Sequence, residues 1–249
     1  PPDNTLAQPL RALVHIEFAS LPATGVAQMR IWGMSLDHMN TLSRAGLVYG
    51  ARLNTVTVQA GDATNGMATV FTGEIIEAYP DMNAQPETNF YIFATPTQTA
   101  QLKPIPPTTY PGAASADTVL GALAATAGWS HENNGVSGVL QSPYFPGTAW
   151  QQIRRGIAAL DCFACVDGVT KTLATWPKTG SRKAQPNVVS PETGMIGYPS
   201  FQNVQVKVKQ IFNPSNLPKV GQKVQVQSQL QAATGTFTLS YVDMDLACN

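Results

Sequence analysis

The chain has 249 residues, of which 43% are hydrophobic and only 12% charged, and its fifteen basic side chains balance fifteen acidic ones. That is enough apolar material for one large domain or two small ones, which excludes a disordered polyelectrolyte. Zero formal net charge gives no compositional basis for tight binding to nucleic acid or an anionic membrane, and a near-neutral surface favours contacts with other proteins.

Alternation of apolar and polar residues dominates the first hundred positions. Val14, Ile16 and Phe18 fall on one face of a strand, with Leu13, His15 and Glu17 on the other. Further strands are predicted at 29–32, 55–60, 69–76 and 90–95, separated by turn residues such as Gly61-Asp62 and Asn65-Gly66. Ser35 can cap a short helix with Leu36, Met39 and Leu42 on one side and Gly46 as its stop. Strands with one small helix point to a compact barrel or sandwich.

A linker at 96–111 carries five prolines and can be neither a central strand nor a helix interior. Beyond it, Ser115 or Asp117 caps an Ala-rich helix bearing Val119, Leu120 and Leu123, ended by Gly128. Thr148 caps a second helix with Trp150, Ile153, Ile157 and Leu160 on one face. A hairpin over 162–176 with a tight Asp167-Gly168 turn completes a small α+β block. Residues 178–191 are polar and irregular; alternation then returns with Val204, Val206 and Val208 inward, followed by Val224 and Val226, and a third strand starting at Phe237, Leu239 and Tyr241. The strand pattern still runs when the sequence stops, and Pro1 is not an initiator Met, so a trimmed or partial chain is expected.

Chemical motifs are sparse. Cys162 and Cys165 have redox-pair spacing, but on a strand positions i and i+3 point to opposite faces, so structural cysteines are expected. Three cysteines leave at least one unpaired, which fits folding in a reducing cytosol. His15-Ile16-Glu17 with the distant cysteines is a poor match to a zinc-deaminase signature and reads as a strand's outer face. Glu74, Glu77, Asp81 and Glu87 cluster in sequence as a glycosidase pair would, yet solvated turns explain them. No nucleophile elbow, phosphate loop or zinc-protease motif occurs, and His15, His38 and His131 stand in unrelated settings. No catalytic, cofactor or metal residues are therefore expected, and no apolar run approaches the roughly 18 residues of a membrane span. A carbohydrate- or receptor-binding module, the main alternative, would place Trp129, Tyr144, Phe145 and Trp150 open on one face. Charge is uneven: residues 1–100 hold four basic and eight acidic side chains, residues 171–223 eight and one.

Four ordered segments carry a resemblance. They are Arg30-Ile31-Trp32-Gly33-Met34-Ser35-Leu36, then Val70-Phe71-Thr72-Gly73-Glu74-Ile75, then the two-helix block with its hairpin, and finally 206–228 with Phe212-Asn213-Pro214, Gly221 and Ser228. Together they make the chain resemble the baseplate hub proteins of tailed bacteriophages, the late-control or tail-hub group. The resemblance implies a mainly β fold with tail-tube-like β-barrel domains at 1–100 and 186–249 flanking an α+β middle domain at 101–185. It marks Trp32, Gly33, Phe71, Gly73, Ile75, Phe212, Asn213, Pro214, Gly221 and Ser228 as structural positions. It also implies a homotrimer at the distal end of the tail tube, assembled in the bacterial cytoplasm, with the tube-end protein, the central spike, the tape measure protein and DNA in transit as partners.

Overall fold

The computed structural model describes residues 10–43, 54–83, 85–202 and 204–248. The first part holds β1 (Ala12–Ala19), β2 (Val26–Trp32), α1 (Leu36–Leu42), β3 (Thr55–Asp62), β4 (Gly66–Asp81) and β5 (Asn89–Thr95). The middle holds α2 (Gln98–Leu102), β6 (Thr108–Thr109), β7 (Ala113–Ser115), α3 (Ala116–Thr126), β8 (Ser130–Asn133), β9 (Val139–Gln141), β10 (Tyr144–Phe145), α4 (Ala149–Ala159), β11 (Cys162–Asp167) and β12 (Thr172–Pro177). Then come β13 (Asn187–Val189), β14 (Ser200–Gln202), β15 (Gln205–Lys207), β16 (Lys223–Val226), β17 (Gly235–Thr238) and β18 (Tyr241–Cys248). The fold is mainly β, with α+β character in the middle.

Alternating residues of the first hundred build one antiparallel sheet in the order β18-β1-β2-β5-β4-β3, curled into a half-barrel. Its inner face buries Ile16, Ala27, Met29, Ala78, Phe90, Ile92 and Ala94. The long strand β4 shifts register against β3 at Val58/Gln59 and against β5 at Ile75/Glu77. The first shift lets the consecutive residues Val70 and Phe71 both turn inward, which a regular pleat forbids. Ser35 does cap α1, accepting from the His38 N–H at 3.3 Å. Met39 alone of its predicted apolar side is buried, while Leu36 is exposed. The helix ends when Ser43 returns its N–H to the Met39 carbonyl, and the expected stop at Gly46 lies outside the described residues.

In the middle block the cap of α3 is Ser115, whose Oγ accepts from the Thr118 N–H, rather than Asp117. Thr148 and Gln151 form a reciprocal capping box on α4. Val119, Leu120 and Leu123 of α3 meet Ile153 and Ile157 of α4 in one core. The helices approach closely because Gly156 lacks a side chain: a Cβ there would lie 2.4 Å from Leu123 Cδ1. The 162–177 hairpin forms, but its turn is longer than the expected two residues. Asp167 pairs with Thr172, leaving a four-residue loop in which the Asp167 carboxylate accepts from the Val169 and Thr170 N–H groups. That local bond competes successfully with the tight turn. Strand β8 joins β12 in parallel, a pairing without a signal in the sequence.

The later β region differs most from expectation. Val224 and Val226 are buried with Val189 as predicted, in a sheet β13-β16-β17. Val204, expected inward, is 99% exposed beside the two-stranded pair β14/β15, whose residues are exposed apart from the half-buried Val206. Tyr241 does not continue the strand of Phe237. It opens β18, which crosses to β1 with His15 opposite Asp245 and Glu17 opposite Asp243. Met244 and Leu246 of β18 then pack on the half-barrel core, so its apolar face is satisfied there.

Candidate functional site

The positions singled out by sequence fall into separate places. Phe71, Ile75 and Phe212 share the half-barrel core. The Phe-x-Gly-x-Ile pattern has a steric reason: the Phe71 ring folds over Gly73, where a Cβ would lie 2.7 Å from its Cε1 and Cζ. Trp32 ends β2 beneath the Arg11 guanidinium, 4.7 Å from the ring centroid, and Gly33 follows with φ of 84°. Asn213 turns the chain by accepting from the Ser215 N–H at 2.9 Å, next to Pro214. Ser228 fixes another turn, its Oγ accepting from the Leu230 N–H and its carbonyl from the Thr234 hydroxyl.

Gly221 sits where the half-barrel, the middle block and the later β region meet. Cys165, Ala174, Trp176, Val220 and Val242 form a small core there. A cavity of about 130 Å³ opens beside it, lined by residues including Phe18, Val70, Arg182, Leu217 and Met244. Arg182, nearly buried, forms a two-pronged pair with Glu132 at 2.9 and 2.5 Å, and the same carboxylate accepts from Asn134. This pairing holds Glu132 below its ordinary carboxylate value. Lys219 lies 3.5 Å from Asp167 across the same junction.

This junction is suited to holding units together rather than to bond making. Burial pushes the Cys165 thiol up to about 12 and Cys162 up to about 11, so neither forms a thiolate near neutrality. The two cysteines belong to different cores on opposite faces of β11. The acidic cluster of the sequence disperses: Glu74 accepts from the N–H and hydroxyl of Thr99, Asp81 holds Asn83, and Glu87 faces Arg11. The four aromatics expected to lie open on one face do not do so. Phe145 and Trp150 are buried, Trp129 meets Trp150 edge-on at 6.4 Å, and Tyr144 is exposed. The basic excess of 171–223 is partly neutralised, since Lys178 pairs with Asp161, Arg182 with Glu132 and Lys219 with Asp167. Among the described residues, the donors able to hold a metal ion come together at His15, Asp243 and Asp245, which the sequence separates widely. No helix among them is long and apolar enough to cross a membrane.

Comparison with known proteins places this architecture. A tail protein from Neisseria meningitidis MC58 superimposes with a TM-score of 0.59 at 10% identity, over 94% of this chain and 87% of that one. The 43 kDa tail protein of prophage MuSo2 from Shewanella oneidensis gives 0.55 at 11% identity, over 95% and 88%. At such identities the likeness is one of fold. No curated protein matches the sequence. The profile of the family described as baseplate hub gp41 matches residues 2–249. The chain belongs to the baseplate hub gp41 family, and its place is the baseplate of a phage tail, in a structural role.

Proposed function

We propose that three copies of this chain assemble at the distal end of the tail tube and adapt its six-fold symmetry to a three-fold spike, leaving a central channel for tape measure protein and DNA. The observation that carries this reading is the half-barrel with both edge strands, β3 and β18, lacking a further strand among the described residues. Unpaired edges are templates for a neighbouring chain, and β3 presents Thr55, Thr57 and Gln59 there, which neither repel nor block pairing as Lys or Pro would. In this reading the half-barrel sheet, formed by the strands over 12–95 with β18, and the strands over 187–238 are the two β units each copy contributes, with the middle block between them. The α+β junction around Trp176 and Gly221 fixes their relative placement, and no step requires catalysis.

Absolute mass by light scattering across a concentration series tests the assembly. The proposal expects three times the chain mass of 26.5 kDa, either alone or on addition of the tube-end or spike protein. A monomer under all three conditions would refute it.

A further inference from the structure

The pairing of β1 with β18 brings four ionisable side chains onto one outer face of the ladder: His15 and Glu17 from one strand, Asp243 and Asp245 from the other. His15 and Asp245 are 230 positions apart in the chain. The imidazole stands between carboxylates on both sides. Its Nε2 is 3.1 Å from Glu17 Oε1, and its Nδ1 is 2.8 Å from Asp245 Oδ1 and 3.4 Å from Asp243 Oδ1.

A neutral imidazole has one N–H and one lone pair. With Nε2–H donating to Glu17, the Nδ1 lone pair faces two carboxylate oxygens, all three of them electron donors. A proton on Nδ1 satisfies one of the two. It leaves three carboxylates around a single positive charge, with Glu17 and Asp243 directly opposed across the ladder, an arrangement that destabilises strand pairs. Among the described residues no Lys or Arg forms an ion pair with any of the three. The face is therefore short of positive charge at the point where nitrogen and oxygen donors converge.

We infer that His15 Nδ1, Asp243 and Asp245 form a divalent transition-metal site, with zinc the best match, that fastens β18 to β1. Zinc bonds to imidazole nitrogen and carboxylate oxygen are about 2.0–2.2 Å long, which sets neighbouring ligand atoms about 3.0–3.5 Å apart. Of the observed separations, 3.4 Å lies within that range and 2.8 Å just below it, so a small outward turn of Asp245 admits the ion. Glu17 completes the arrangement from behind, since a metal-bound imidazole commonly donates its other N–H to a carboxylate, which fixes the tautomer and ring orientation. The imidazole selects zinc, nickel or copper over magnesium and calcium, which prefer all-oxygen sets. All four side chains are partly open to solvent, so water can fill the remaining coordination positions. The sequence offers His15-Ile16-Glu17 only as a poor match to a different zinc signature, and neither it nor the Asp-x-Asp pair points to this site until the strands are neighbours.

The test is titration of the metal-free chain with zinc chloride in chelator-free buffer, followed by calorimetry and by the imidazole nitrogen resonances. One zinc per chain, a shift confined to the His15 ring with Nδ1 metallated, and a raised melting temperature are expected. His15→Gln abolishes the binding, Glu17→Gln weakens it about 10- to 100-fold, and Cys248→Ser leaves it unchanged. Glu17→Gln removes one of the opposed negative charges and His15→Gln keeps an amide donor beside the carboxylates, and circular dichroism verifies that each variant keeps the fold. Zinc binding that survives His15→Gln, an equal response to calcium, or no saturable binding at all would each overturn the assignment.

Discussion

Replacing Gly221 by alanine puts two separable strains into the junction. Its φ of +87° lies in the left-handed region, where an added Cβ costs about 1–2 kcal/mol. The same Cβ would stand 2.8–2.9 Å from three carbons of the buried Trp176 ring. Overfilling a packed core costs about 1–3 kcal/mol, for a total of about 2–5 kcal/mol. The backbone cannot rotate away cheaply, because the Gly221 N–H donates to the Leu239 carbonyl and its own carbonyl accepts from the Arg182 N–H, both at 2.7 Å. Urea unfolding followed by tryptophan fluorescence measures the loss, and at a slope of about 2–3 kcal/mol per molar the midpoint falls by roughly 1 M or more. Gly112→Ala is the matched control: its φ is +83° but no atom lies within 4 Å, so it carries the backbone strain alone. If Gly221→Ala proves no more damaging than Gly112→Ala, the packing of this junction on Trp176 is wrong.

Gly73→Ala collides with the Phe71 ring and the Thr95 backbone and is expected to cost about 1–3 kcal/mol, with part recovered in the Phe71→Leu background; additive losses in the double-mutant cycle would contradict the contact. Acidification lowers stability in two stages. Burial depresses His131 below its ordinary 6.5, so its contribution is complete above that value and is lost as pH falls through the folded value. Glu132, depressed below 4.5 chiefly by the Arg182 hydrogen bond, behaves likewise from 4.5 downward. Melting temperatures of His131→Gln should therefore be flatter than wild type just below pH 6.5, and identical slopes would refute the burial argument. Iodoacetamide at neutral pH should modify the exposed Cys248 and spare Cys162 and Cys165 until urea is added, as peptide masses will report; rapid labelling of Cys165 in the folded chain would contradict its core position.

Local signals were read well from the sequence wherever the physics is local. Ser35, Ser115 and Thr148 announce helix starts because a cap needs only neighbouring N–H groups. Alternation located β1 through β5 because burying one face requires it. Failures cluster where distant segments decide. Val204 fits an alternating strand, yet nothing packs over it, and no pattern in its own segment could show that. The allegiance of β18 is hidden for the same reason: Val242, Met244 and Leu246 suit any apolar face, and the half-barrel core covers Met244 and Leu246 while the junction core takes Val242. The two register shifts in β4 likewise reconcile long-range pairings. At the site level, the Phe71–Gly73 relation is visible as spacing, whereas the partnership of Gly221 with Trp176 joins residues 45 apart, one in the later β region and one in the middle block. The His15, Asp243 and Asp245 cluster was beyond reach until β1 and β18 were paired.

The central claim is that this chain is a three-copy structural part at the tip of a tail tube. Gold-labelled antibody against the chain, counted on intact tails by electron microscopy, tests it most directly. The account predicts label at the distal end of the tube, beside the spike, and three chains per tail in the same preparation. Label along the tube, on fibres or on the capsid, or a copy number that is not three, would contradict it.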